Sequence, residues 1–176
     1  MDKSLGAATS AAAAANEFLQ LGWAEPHVPS ITQMKLQKLL FYGHAWHLAV
    51  NECPLFSEDF EAWPWGPVQR DIYFQTKDYG KNPISSLLTS FNYSDSSGFD
   101  FRVYEPKIEN QDLKKFINSV WESHKRYTGV QLSNSTHAQG EPWTIVKDKF
   151  GSLDTKPTIP NELIYNVFRK KLNGGG

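Results

Sequence analysis

The side chains in this sequence that could do chemistry are five histidines, one cysteine and a short run of hydroxyl residues. His44 and His47 stand three apart, so on a helix their rings fall on one side and could share a metal ion, with His137 as a distant third ligand for a metal-dependent hydrolase. Neither an H-E-x-x-H pattern nor a cysteine cluster completes such a site. Their neighbours, Phe41, Tyr42, Trp46 and Leu48, are those of a core, where a histidine is hydrogen-bonded and structural. Cys53 lies just past the same stretch, at a helix C-terminal end, which raises a thiol pKa where a nucleophile needs it lowered. The stretch SNSTHAQGEPW places Ser133, Ser135, Thr136 and His137 together, but sequence neighbours rarely form a triad, and there is no G-x-S-x-G elbow or phosphate-cradling glycine loop. Thr136 and His137 are therefore read as a structural cap between helices. Lys35 and Lys38 share one edge of a helix and read as solvated surface, or equally as a small anion contact. No catalytic residue, metal or cofactor is assigned.

A different constellation asks for a partner rather than a reaction. In EAWPWGPVQRDIY, Glu61 to Tyr73, two tryptophans flank one proline and a Gly-Pro follows. Phe60 and Ala62 alternate toward a core. Strict alternation would turn Trp63 away, and Pro64 interrupts the pattern. Trp63 is assigned mainly to packing and also stands among the candidate partner-binding residues. Trp65, beside a glycine, goes to a partner surface together with Arg70 and Tyr73, since exposed aromatic and arginine anchors dominate interface energetics. Gly66-Pro67 fixes the turn, with Pro67 opening a helix that runs to about Tyr79.

The elements that must hold these residues are mostly helical. The alanine-rich GAATSAAAAANEF reads as a first helix through about Leu21, preceded by a frayed leader over 1–8, and not as a secretion signal. After the Pro-containing linker GWAEPHVPS, the segment ITQMKLQKLLFYGHAWHLAVN is apolar on several faces, which marks a helix buried on several faces. Leu39, Leu40 and Trp46 are its expected core residues. EDFEAW and FDFRVY alternate with period two and suggest a small antiparallel ribbon. The loop Asn92 to Gly98 is the internal segment expected to be most mobile. Leu113, Phe116, Ile117, Val120, Trp121 and His124 share one face of a helix that Gly129 ends, and further helices begin near Pro142, beside Trp143, and near Pro160. The fold class is mainly α, a single compact helical domain over 1–173 with a small β ribbon and a disordered tail at 174–176.

Composition narrows the partner. The chain has 176 residues, 40% hydrophobic and 14% aromatic, with a net charge of −1. That content builds one core, and the absence of a basic surplus argues against nucleic acid. No apolar run approaches a membrane span, and one cysteine suits a reducing cytoplasm.

Three motifs, KLQKLLFYGHAWHLA (Lys35 to Ala49), LFSEDFEAWPWGPVQRDIY (Leu55 to Tyr73) and LSNSTHAQGEPW (Leu132 to Trp143), resemble in order and register the Panacea domain family, which includes GepA-like and SocA-like proteins of phages and mobile elements. Where relatives often carry one aromatic or Lys-Tyr pair before Gly-Pro, this chain has Trp63-Pro64-Trp65. The resemblance implies an antitoxin without catalytic residues that neutralises a cognate protein toxin by direct binding. In the SocA-like branch it implies instead an adaptor that delivers the toxin to a cellular protease. The toxin, the oligomeric state and any repression of its own operon are left open by the sequence.

Overall fold

The computed structural model describes residues 6–93 and 101–174. Parts of four expectations lie outside them: the leader at 1–5, the loop at 94–98, the first two residues of the FDFRVY run and the final two glycines. Within the described leader, the Ala8 and Thr9 amides donate to the Pro54 and Leu55 carbonyls.

Helix α2 (Gln33–Asn51) is the axis of the molecule. The Thr32 side chain caps its start by accepting from the Lys35 amide, and Glu52 ends it in the left-handed region with φ 60°. Leu39 and Leu40 are fully buried and Trp46 partly so. Around α2 pack α1 (Ala11–Ala24), α4 (Gln111–His124), α5 (Gly129–Thr136) and α7 (Asn161–Leu172). The Phe41 ring meets Phe60 and Phe168 edge-on, joining α2 to a strand and to α7 in one core. Small side chains let α1 approach: Ala13, Ala14 and Ala15 are all buried, and Phe18 lies against Gly43.

Among the described residues the β structure is a three-stranded sheet and a two-stranded ribbon. Strand β1 (Phe60–Trp63) pairs antiparallel with β2 (Gly66–Gln69), from Phe60↔Gln69 to Trp63↔Gly66, and on its other side with β5 (Thr158–Ile159). Strand β3 (Ser90–Tyr93) pairs with β4 (Phe101–Tyr104). The strands inside the two alternating runs, Phe60–Trp63 and Phe101–Tyr104, thus each find a different neighbour and, among the described residues, do not pair with each other. Asn92 belongs to β3, not to a loop.

The helix after Gly-Pro begins later than the proline suggests. Pro67 lies in β2; α3 spans Arg70–Thr76 and is followed by a 3₁₀ turn, Lys77–Tyr79. The cause is the Gln37 amide, which accepts from the Gln69 N–H (2.7 Å) and donates to the Gln69 carbonyl (3.0 Å), holding that residue extended as a strand partner would. Gln69 then caps α3, its side chain accepting from the Ile72 amide. Gly129 opens α5 instead of ending α4, and the Thr128–Gln131 pair forms a reciprocal cap there. Helix α6 (Pro142–Phe150) carries Pro142 in its first turn.

Candidate functional site

The β1–β2 hairpin is where the three sequence motifs converge. Pro64 and Trp65 form its two-residue loop, and the carbonyls of alternate residues turn inward to donors from three helices. Trp143 Nε1 of α6 donates to the Trp63 carbonyl (2.8 Å). Ser133 Oγ of α5 donates to the Trp65 carbonyl (2.7 Å). From α2, Lys38 Nζ donates to the Pro67 carbonyl (3.0 Å) and Gln37 to the Gln69 carbonyl. Buried carbonyls must be paired, so four side-chain donors fix this turn as a sheet neighbour fixes a strand.

Gly66 is the pivot. Its φ of +103° lies in the region that favours glycine, and an added Cβ would sit 2.7 Å from Thr136 Oγ1 and 2.8 Å from Lys38 Nζ. Thr136 is fully buried and donates to the Ser133 carbonyl (2.7 Å), while the His137 ring stacks on Trp143 at 3.9 Å. Burial, with Lys38 and Lys147 nearby, pushes the His137 pKa below its ordinary value. His137 Nε2 is buried without a hydrogen-bond partner.

With its carbonyl tied inward, Trp65 presents its indole outward at 69% exposure. Trp63 is half-buried: its ring packs on Tyr73 at 4.7 Å, Nε1 donates to Glu61 (2.7 Å), and the Lys156 ammonium lies 4.0 Å from the ring centre. Arg70 is exposed, 3.5 Å from Glu61 and over the Phe74 ring, which is itself half exposed. Trp63, Trp65, Tyr73, Met34 and Val68 line a cavity of about 100 Å³, with Lys38 in its wall. The sequence did not single out Phe74 or Met34. Both join this surface because Gln33 ties α2 to α3, donating to the Tyr73 carbonyl.

Two lysines overturn the surface reading given to them. Lys35 and Lys38 are 0% and 1% exposed. Lys35 Nζ donates to the Pro29 (2.6 Å) and Lys125 (2.7 Å) carbonyls and faces the Trp121 ring, so it ties the linker to the end of α4. Burial pushes Lys35 down to about 8 and Lys38 down to about 7.

The histidines do not gather. His44 Nε2 donates to Asn161 Oδ1 (2.8 Å) at the start of α7, and burial pushes its pKa down to about 4. His47 Nδ1 donates to the Cys53 carbonyl (2.9 Å), which leaves that nitrogen no lone pair for the thiol 3.9 Å away. Burial raises the Cys53 pKa. These two residues border a cleft of about 390 Å³ against Asn110, Leu113 and Phe116. Among the described residues no group of three His, Cys, Asp or Glu is placed to hold a metal ion. No helix among them is long and apolar enough to cross a membrane.

The family described as antitoxin SocA-like, Panacea domain, matches residues 36–144, which span α2, the hairpin and the start of α6. The chain belongs to this family. It is also similar to Antitoxin SocA of Caulobacter vibrioides (strain NA1000 / CB15N), 30% identical over 141 residues, covering 79% of this chain and 72% of that protein. No solved structure matches. The family match encloses the Lys38–Gly66–Thr136 junction and both tryptophans, so the held turn lies within the region shared with the family.

Proposed function

We propose that this chain is an antitoxin that neutralises a cognate protein toxin by direct binding in the cytoplasm, and that it is not an enzyme. Membership of the SocA-like family and the name of its Caulobacter relative support the antitoxin role. One structural observation carries the binding mode: the hairpin turn is clamped by donors from α2, α5 and α6 while its Trp65 indole stands in solvent. A surface held by rigid elements before the partner arrives loses little entropy on binding, and Trp and Arg are the residues that most often carry interface energy. Trp65, Trp63, Arg70 and Tyr73 are the proposed anchors. With Phe74 and Met34 they would form the centre of an interface of ordinary size, about 1,200–2,000 Å² in total. Thr136, His137, Trp143, Gly66 and Pro67 hold the turn and stay out of contact.

The test is co-expression with the protein encoded by the adjacent open reading frame. That protein alone should arrest growth, this chain should restore growth, and the two should co-purify. Restored growth with loss of the toxin from cells, dependent on a cellular protease, would make the chain an adaptor instead. Arrest that this chain does not relieve would end the antitoxin reading.

A further inference from the structure

Lys35 and Lys38 lie one turn apart on α2, and both ammonium groups are inside the fold, but they are not equally provided for. Lys35 has two carbonyl acceptors and an aromatic face. Lys38 has three N–H donors and a single acceptor, the Pro67 carbonyl; among the described residues no carboxylate pairs with it. A buried cation without a counter-ion is among the more expensive things a fold can carry, and breaches of local rules of this kind gather at functional sites. Lys38 also forms part of the wall of the cavity lined by Trp63, Trp65, Tyr73 and Met34, which lies beside the exposed Trp65 indole.

We propose that this cavity receives an acidic side chain of the toxin, an aspartate or glutamate whose carboxylate pairs with the Lys38 ammonium while the two indoles and Tyr73 pack on its methylenes. The inference rests on the antitoxin reading and names the chemistry of its partner. Charge complementarity selects the occupant. The two amides in the wall are already engaged, Gln37 with Gln69 and Gln33 with Tyr73, so the lysine is the polar group left to satisfy. The volume, about 100 Å³, admits one side chain. The groups facing Lys38 do not substitute for the partner. The pKa of His137, at the end of α5, is pushed below its ordinary value by burial and by the lysines beside it, Lys147 on α6 is a like charge, Lys35 turns its ammonium to its own carbonyls, and the hairpin is uncharged from Trp63 to Gln69. Burial holds the free Lys38 near 7, so pairing with a carboxylate must draw a proton onto it above neutral pH.

The experiment is calorimetric titration of this chain with the product of the adjacent open reading frame, at pH 7.0 and 8.5, in two buffers of different ionisation enthalpy. The expected result is uptake of about one proton at pH 8.5 and an affinity about tenfold lower there than at pH 7.0. Lys38→Met should abolish the uptake and flatten the pH dependence, and Asp→Asn or Glu→Gln at the anchoring position of the partner should do the same even where Lys38→Met does not fold. A complex that forms with no proton uptake and equal affinity at both pH values overturns this inference and leaves the antitoxin reading standing. Uptake that persists in Lys38→Met also overturns it, and failure to form any complex overturns both.

Discussion

The Lys38 ammonium loses protons more readily in the folded chain, where its pKa is about 7, than in the unfolded chain, where a lysine titrates near 10.4. Between those values the unfolded state binds more protons, so the folded state gains stability as pH rises through the window, at up to about 1.4 kcal/mol per pH unit. Urea midpoints measured at pH 7 and 9 are expected to rise more for wild type than for Lys38→Met. Parallel behaviour of the two would mean that this ammonium is solvated. Nothing local in the sequence announces this burial. Pro29, six residues before Lys35, supplies one of the carbonyls that hold the two lysines, but the other two come from residues 29 and 90 positions further along the chain, and spacing on a helix is blind to such partners. The Thr136 hydroxyl satisfies the Ser133 carbonyl, whereas the His137 ring stacks on Trp143 with its Nε2 unpartnered, a use that the neighbouring residue types do not announce.

Among the elements, α2 and the β1–β2 hairpin carry the sharpest expectations. Leu40 is fully buried at the centre of α2, and Leu40→Ala is expected to lower unfolding free energy by about 2–5 kcal/mol through lost transfer energy and a cavity. A loss below about 0.5 kcal/mol in urea would mean that the helix is peripheral. Gly66→Ala places a Cβ against Thr136 and Lys38 in a backbone region that favours glycine, so a loss of about 2–5 kcal/mol is expected from strain and overpacking together. A melting curve like that of wild type would show that the turn relaxes freely. The helices could be read from the sequence because their apolar faces recur with helical period over many residues. The hairpin could not, since its four-residue strands contain Gly66 and Pro67 and its loop is Pro-Trp, where a sequence reader looks for Asn-Gly. What makes it a hairpin is the set of side-chain donors from α2, α5 and α6.

At the level of the whole molecule, the fold class followed from composition and periodicity, while the pairing of strands depended on contacts that no local pattern encodes. Four histidines spread through that fold, His44, His47, His124 and His137, share one property: burial lowers the pKa of each. The unfolded chain binds protons at these rings from about pH 6.5 downward, before the folded chain does, so their contribution to stability is complete above that pH and is lost as pH falls. The melting temperature is expected to drop steadily from pH 7 to pH 5, and a flat profile would contradict neutral burial of the rings. The central claim, however, concerns the clamped turn. Trp65 has its backbone tied inward and its indole free, so the account separates the two roles. The most direct measurement is calorimetric titration of wild type and Trp65→Ala against the product of the adjacent open reading frame, each paired with a melting curve. The account predicts stability within about 1 kcal/mol of wild type and affinity at least tenfold weaker, about 1.4 kcal/mol; unchanged affinity in a stable variant would contradict it.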